Sequence, residues 1–149
     1  MNKVPSELLW VVLIGLIGGA AVGFQGPMLG AMSQKMGPIP STFIIHVGGT
    51  ITAGAILLLA RDGGLTRWRE VPPAYLFAGI AGIVVHLALS FTLPRVGATT
   101  STLLLIAAQL MVALVLDHFG WIGVPENPVS VWRVAGVVLV LVGAYLTTR

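Results

Sequence analysis

Five apolar runs fill almost the whole of this chain, and they leave it little choice of fold. They cover about 8–32, 41–60, 74–93, 98–119 and 131–146. A helix needs about 20 mostly apolar residues to cross about 30 Å of hydrocarbon, and each run is close to that length. The segments between them carry the breaks: Lys35 with Gly37-Pro38-Ile39-Pro40, Arg61-Asp62-Gly63-Gly64, Pro94-Arg95-Val96-Gly97, and Pro125-Glu126-Asn127-Pro128. Backbone polar groups in lipid must be satisfied within the chain, so helices are the realistic element at these lengths. A transmembrane β-barrel would need short alternating strands, and the sequence has none of that pattern. The expectation is an all-α integral membrane protein, a single transmembrane domain of five helices over residues 1–149. Pro5 suits an opening helical turn, and Trp10 suits an interfacial belt. The tight turn at 94–97 predicts that the third and fourth helices are antiparallel neighbours.

Composition narrows the function. Only 9% of the 149 residues are charged, against about 25% in soluble domains. There is no cysteine, which excludes a disulfide framework and thiolate metal sites. The net charge of +3 is spread between the apolar runs and reads as anchoring to lipid, not as a nucleic-acid surface. No nucleophile stands with a base, and neither a phosphate loop nor a histidine pair at i, i+4 spacing is present. An enzyme is therefore not expected, nor a cofactor or metal. The first apolar run is too long for a cleaved signal peptide and reads as a mature helix.

Orientation in the membrane follows lysine and arginine. With five spans, the N-terminal side collects Lys3, Arg61, Arg67, Arg69 and Arg133, and the other side Lys35, Arg95 and Arg149. This bias is weak. It places the N-terminus in the cytoplasm if one orientation is fixed, and it also permits insertion both ways.

Gly15 to Gly30, GLIGGAAVGFQGPMLG, is the most unusual stretch. Gly15, Gly19 and Gly23 recur every four residues, the pattern that lets two membrane helices approach closely. Gln25 and Pro27 follow within a turn. Proline lacks an N–H, so the carbonyl of Gly23 loses its helical donor one turn from Gln25. Unwound carbonyls at mid-membrane are a common way to build a transport site. An ordinary proline kink, with Gln25 bonded to a neighbouring helix, accounts for the same residues.

Strongly polar groups in a bilayer usually face a bundle interior or a cavity. His86 lies mid-run on a stripe with Tyr75, Gly79, Gly82 and Ser90. It can bind substrate, carry a proton near neutral pH, or make a helix–helix hydrogen bond. Gln109 shares a face with Thr102 and Ala113, and can line a cavity or bind a neighbouring helix. His46, on a face with Gly49, Thr50 and Ala53, reads as packing. Asp117 and His118, beside Phe119, Gly120 and Trp121, read as a helix cap or interfacial pair, and Arg95 as a headgroup anchor. No acidic residue lies deep in any span, which argues against a simple proton-driven exporter of hydrophobic cations.

The run from Phe24-Gln25 to Lys35-Met36-Gly37, that from Val96-Gly97-Ala98 to Ala108-Gln109, and Asp117-His118-Phe119-Gly120 resemble the YdcZ-like family. This is a five-helix branch of the drug/metabolite transporter superfamily, and the likeness extends to the last helix with Gly136 and Gly143. The sequence departs from the family pattern at Leu29, where an Asn is usual, and at His46, where a Ser is common. The resemblance implies transport in the bacterial inner membrane. Larger members of the superfamily look like two five-helix halves in inverted orientation, so this chain would be one half of a ten-helix inverted-repeat transporter, completed by dimerisation. The expected function is a secondary transporter of a small polar or amphipathic metabolite, an antiparallel dual-topology homodimer working by alternating access. The substrate-binding candidates are Gln25, the Gly23 carbonyl, His86 and Gln109, with His86 the candidate for proton coupling. The expected partners are membrane lipids, a second copy and a small-molecule substrate. Two alternatives stand beside it: one half of a heteromeric transporter, and a non-transporting assembly or lipid-interacting protein.

Overall fold

The computed structural model describes residues 6–61 and 63–147. The expectations placed on Lys3, Pro5 and Arg149 lie outside these residues. The described chain is helical almost throughout, and its contacts divide it into two compact units, Met1–Arg95 and Val96–Arg149.

In the first unit, α1 (Ser6–Met36) and α2 (Pro38–Ala60) are joined by one residue, Gly37. The sequence suggested a wider break, from Met32 to Ser41. The chain needs less because Gly37 takes φ 89° and ψ 165°, a conformation reserved in practice for glycine. Pro38 then opens α2 where its missing N–H costs nothing. Both helices therefore run into the polar residues that seemed to end them. Ser41 closes the joint by donating its hydroxyl to the Gly37 carbonyl at 2.7 Å. The helix of α1 continues through Pro27.

After α2, Gly63–Glu70 forms a 3-10 turn carrying the exposed Arg67–Glu70 ion pair at 2.8 Å. Arg69 lies over the Trp68 ring at 5.4 Å, an amphipathic cluster of the kind that settles at headgroups. A single turn, α3 (Pro73–Leu76), precedes the long α4 (Ala78–Phe119). The third apolar run is thus split at Phe77. Pro94 and Arg95, expected in a turn, lie inside α4, and the helix is interrupted only at Gly97, with φ 78° and ψ 170°. Arg95 folds back onto Phe91, its guanidinium 3.6 Å from the ring centre and one N–H on the Phe91 carbonyl.

The first arm of α4 packs against α1 where side chains are smallest. A Cβ placed on Gly30 would stand 3.1 Å from Leu93 Cβ. One turn on, the Ser33 hydroxyl donates to the Ser90 carbonyl at 3.0 Å. Leu29, Leu93 and Ser90 are buried there.

The second unit is a hairpin of the second arm of α4 and α5 (Val131–Leu146), with Leu103 and Ala144 lining one recess between them and Ala113 and Gly136 lining another. Large apolar side chains are exposed along every long helix, which is what lipid as solvent requires. Leu8–Met36, Pro38–Ala60 and Pro73–Phe119 are long and apolar enough to cross a membrane, the last with an interruption at Gly97 that leaves room for two passes. With the shorter apolar α5, five passes fit.

Candidate functional site

Several hydroxyl groups in the spans are bonded within their own helices. Thr50 and Thr52 each donate to the carbonyl four residues back at 2.8 Å, which hides the hydroxyl from lipid. The polar groups that escape this local satisfaction mark the candidate site.

His86 is half-buried on the first arm of α4. Its Nδ1 lies 2.8 Å from the Gly82 carbonyl. His46, half-buried on α2, makes the same bond to the Thr42 carbonyl at 2.8 Å. A carbonyl oxygen only accepts, so both Nδ1 atoms carry a proton, and in the neutral form of either ring Nε2 is a bare lone pair. The rings meet edge to face with centroids 4.9 Å apart. Gly82 lies against the His46 ring: a Cβ there would stand 3.5 Å from His46 Nε2, an ordinary contact. In this unit His86 Nε2 is buried without a hydrogen-bond partner, as are the hydroxyls of Thr42 and Ser90; the Ser101 hydroxyl, in the second unit, is a fourth such group.

The structure thus pairs His86 with a residue that the sequence pattern assigned to packing. A signal for the pair was available. His46 lies nine residues after Gly37 and His86 eleven before Gly97. At about 1.5 Å per residue His46 sits about 14 Å from the Gly37 joint and His86 about 17 Å from the interruption at Gly97, both close to mid-membrane. What the sequence did not supply was the rotation of α2 that turns His46 toward α4.

The other candidates are arranged differently. Gln25 and Gly23 are exposed on α1, with nothing within 4 Å of a Cβ built on Gly23. Pro27, in the same exposed turn, leaves the Gly23 carbonyl without its helical donor. The same open space surrounds Gly15, Gly18 and Gly19. Gln109 is exposed on the second arm of α4, in the second unit.

Asp117 and His118 have structural partners. Asp117 pairs with Arg133 of α5, and the backbone N–H of Asn127 donates to the Asp117 carbonyl at 2.7 Å. Arg133 also donates to the Asn127 carbonyl at 2.7 Å, and His118 Nδ1 accepts from the Val129 N–H at 3.2 Å. Ser130 caps α5 by accepting from the Arg133 N–H. These contacts fasten the connection from α4 to α5. Arg133→Met strands the Asp117 carboxylate and frees the Asn127 carbonyl. It is expected to cost about 2 kcal/mol, the worth of a charged hydrogen bond, read as a lower unfolding temperature in detergent.

Long apolar helices with polar groups at depth are those of a multi-pass α-helical membrane protein. A family model described as "Putative inner membrane exporter, YdcZ" matches residues 10–146. The chain belongs to the YdcZ family of the drug/metabolite transporter superfamily and is a multi-pass inner-membrane protein. Searches of curated proteins and of solved structures found no match.

Proposed function

We propose that this protein is a secondary exporter of a small polar or amphipathic metabolite, working by alternating access as an antiparallel, dual-topology homodimer. One observation carries the reading: Gln25 and Gln109 are both exposed within long apolar helices. A carboxamide facing lipid leaves its hydrogen-bonding groups unsatisfied, which is costly, so a partner or a cargo must cover it. The open glycine face of α1 offers the close approach that a second copy needs. An inverted second copy would supply the other half of an inverted-repeat transporter.

In this reading Gln25, the Gly23 carbonyl, His86 and Gln109 are the cargo-binding groups, and His86 carries the coupling proton. All are neutral or weakly basic, and residues 10–60 and 78–95 contain no acidic side chain. The cargo is accordingly a hydrogen-bonding molecule without strong positive charge. Uptake into proteoliposomes under an imposed pH gradient tests the mechanism. His86→Ala is expected to abolish the dependence of transport on that gradient, and an unchanged pH profile would remove the coupling role. Paired topology reporters at the C-terminus test the dimer. Signal from both sides of the membrane is expected, and signal from one side only would sink dual insertion and favour a heteromeric partner.

A further inference from the structure

We propose that His46 and His86 form one proton site, in which two imidazoles together hold a single charge, so that His46 is a second proton-carrying residue. The proposal rests on the coupling role given to His86 above and names its partner.

The geometry supplies the reason. Both rings are locked by Nδ1–H bonds to carbonyls of their own helices, at 2.8 Å each, and both Nε2 atoms are left as acceptors. Beside them the Thr42 hydroxyl, on a residue only 4% exposed, has no partner, and neither has His86 Nε2. Buried polar atoms nearly always find partners, so an unmatched acceptor among them is informative. A proton on one Nε2 converts that ring to an imidazolium and creates the missing donor. With centroids 4.9 Å apart, the second ring offers a lone pair or π face to the charge. It takes the part that a carboxylate plays elsewhere, in a region where no carboxylate stands. Two like charges this close in a medium of low dielectric repel strongly, so the pair holds one proton rather than two.

Among the described residues, no charged side chain is bonded to either ring. α2 and the first arm of α4 carry no further titratable side chain except Arg95, which is turned onto Phe91. α1 meets α4 through Gly30, Ser33, Leu93 and Ser90, and its Lys35 is exposed. A recess of about 360 Å³, walled by Ile39, Phe43, Ile83 and Leu87, reaches Thr42 and His46. His46 is therefore the member of the pair that meets protons arriving through the recess, and His86 the enclosed one.

Histidine ¹⁵N NMR on the intact protein in lipid bilayers, followed from about pH 8 to about pH 5, reads the pair directly. The expected result is that His46 and His86 signals move together and account for one proton between them, with Nδ1 protonated throughout. His118→Gln removes the third histidine signal. Two independent one-proton titrations, or no response from either ring, would overturn the proposal. In proteoliposomes, His46→Gln is expected to flatten the pH dependence as fully as His86→Gln, with the double variant no worse than either. Joint titration in a protein that fails to transport leaves the proton site standing and removes the transport reading. Transport with independent titrations does the reverse.

Discussion

Gly97→Val is expected to destabilise the protein by about 2–3 kcal/mol, although nothing in the structure crowds the new side chain. A Cβ at this position meets no atom within 4 Å, so steric overpacking contributes nothing. The cost is conformational. At φ 78° and ψ 170°, Gly97 occupies a region that L-residues reach only with strain of order 1–3 kcal/mol, and a β-branched residue fares worst. The variant either bears that strain or extends the helix through residue 97 and misplaces everything after it. Thermal unfolding in detergent measures the first outcome. Gly97→Ala should fall between wild type and Gly97→Val, and a series with no ordering by side-chain branching would count against the argument.

Gly30→Val should be comparably damaging for the opposite reason. Here the backbone is helical and valine is favoured over glycine by a few tenths of a kcal/mol. Space decides the outcome, because a Cβ on Gly30 would already stand 3.1 Å from Leu93 Cβ, an atom fixed to the α4 backbone. Two further methyl groups must force α1 and α4 apart, at a cost of about 1–3 kcal/mol. The control is Gly19→Val on the same helix, where open space surrounds the position. It should leave the stability of the single chain within about 0.5 kcal/mol of wild type. If the ladder is the face a second copy covers, Gly19→Val will instead lower the dimer fraction in crosslinking or analytical ultracentrifugation. Gly30→Val acting on stability and Gly19→Val on assembly would separate two glycines that look alike in the sequence.

That separation shows where sequence reading stops. The apolar runs were enough for the all-helical, membrane-spanning class, because lipid leaves a backbone only helices or a closed barrel and the runs lack the alternation a barrel needs. The glycine ladder was visible, but not which rungs are occupied. Gly26 and Gly30 lie against Leu93, whereas Gly15 and Gly19 face nothing, and that depends on where α4 crosses α1. Helix ends were misjudged at Gly37 and Gly97 because a cluster of Pro, Gly and charged residues looks like a loop. In the structure one glycine makes each joint and the flanking prolines stay helical. His86 stood out in the sequence by its depth. His46 did not, since threonine and glycine neighbours made its face resemble packing. The Asp-His-Phe-Gly run was legible as a helix end, but its partner Arg133 comes from another helix.

The one-residue joint at Gly37 also governs how the protein can be handled. A protease needs several extended residues to bind a chain, and between Met36 and Pro38 there is only one. Limited digestion should therefore leave α1 and α2 as a single fragment and cut first near Gly63–Glu70 or in the 124–130 segment. Epitope tags and fluorescent fusions belong in those same two places. An insertion beside Gly37 would have to unwind a helix before it could be accommodated.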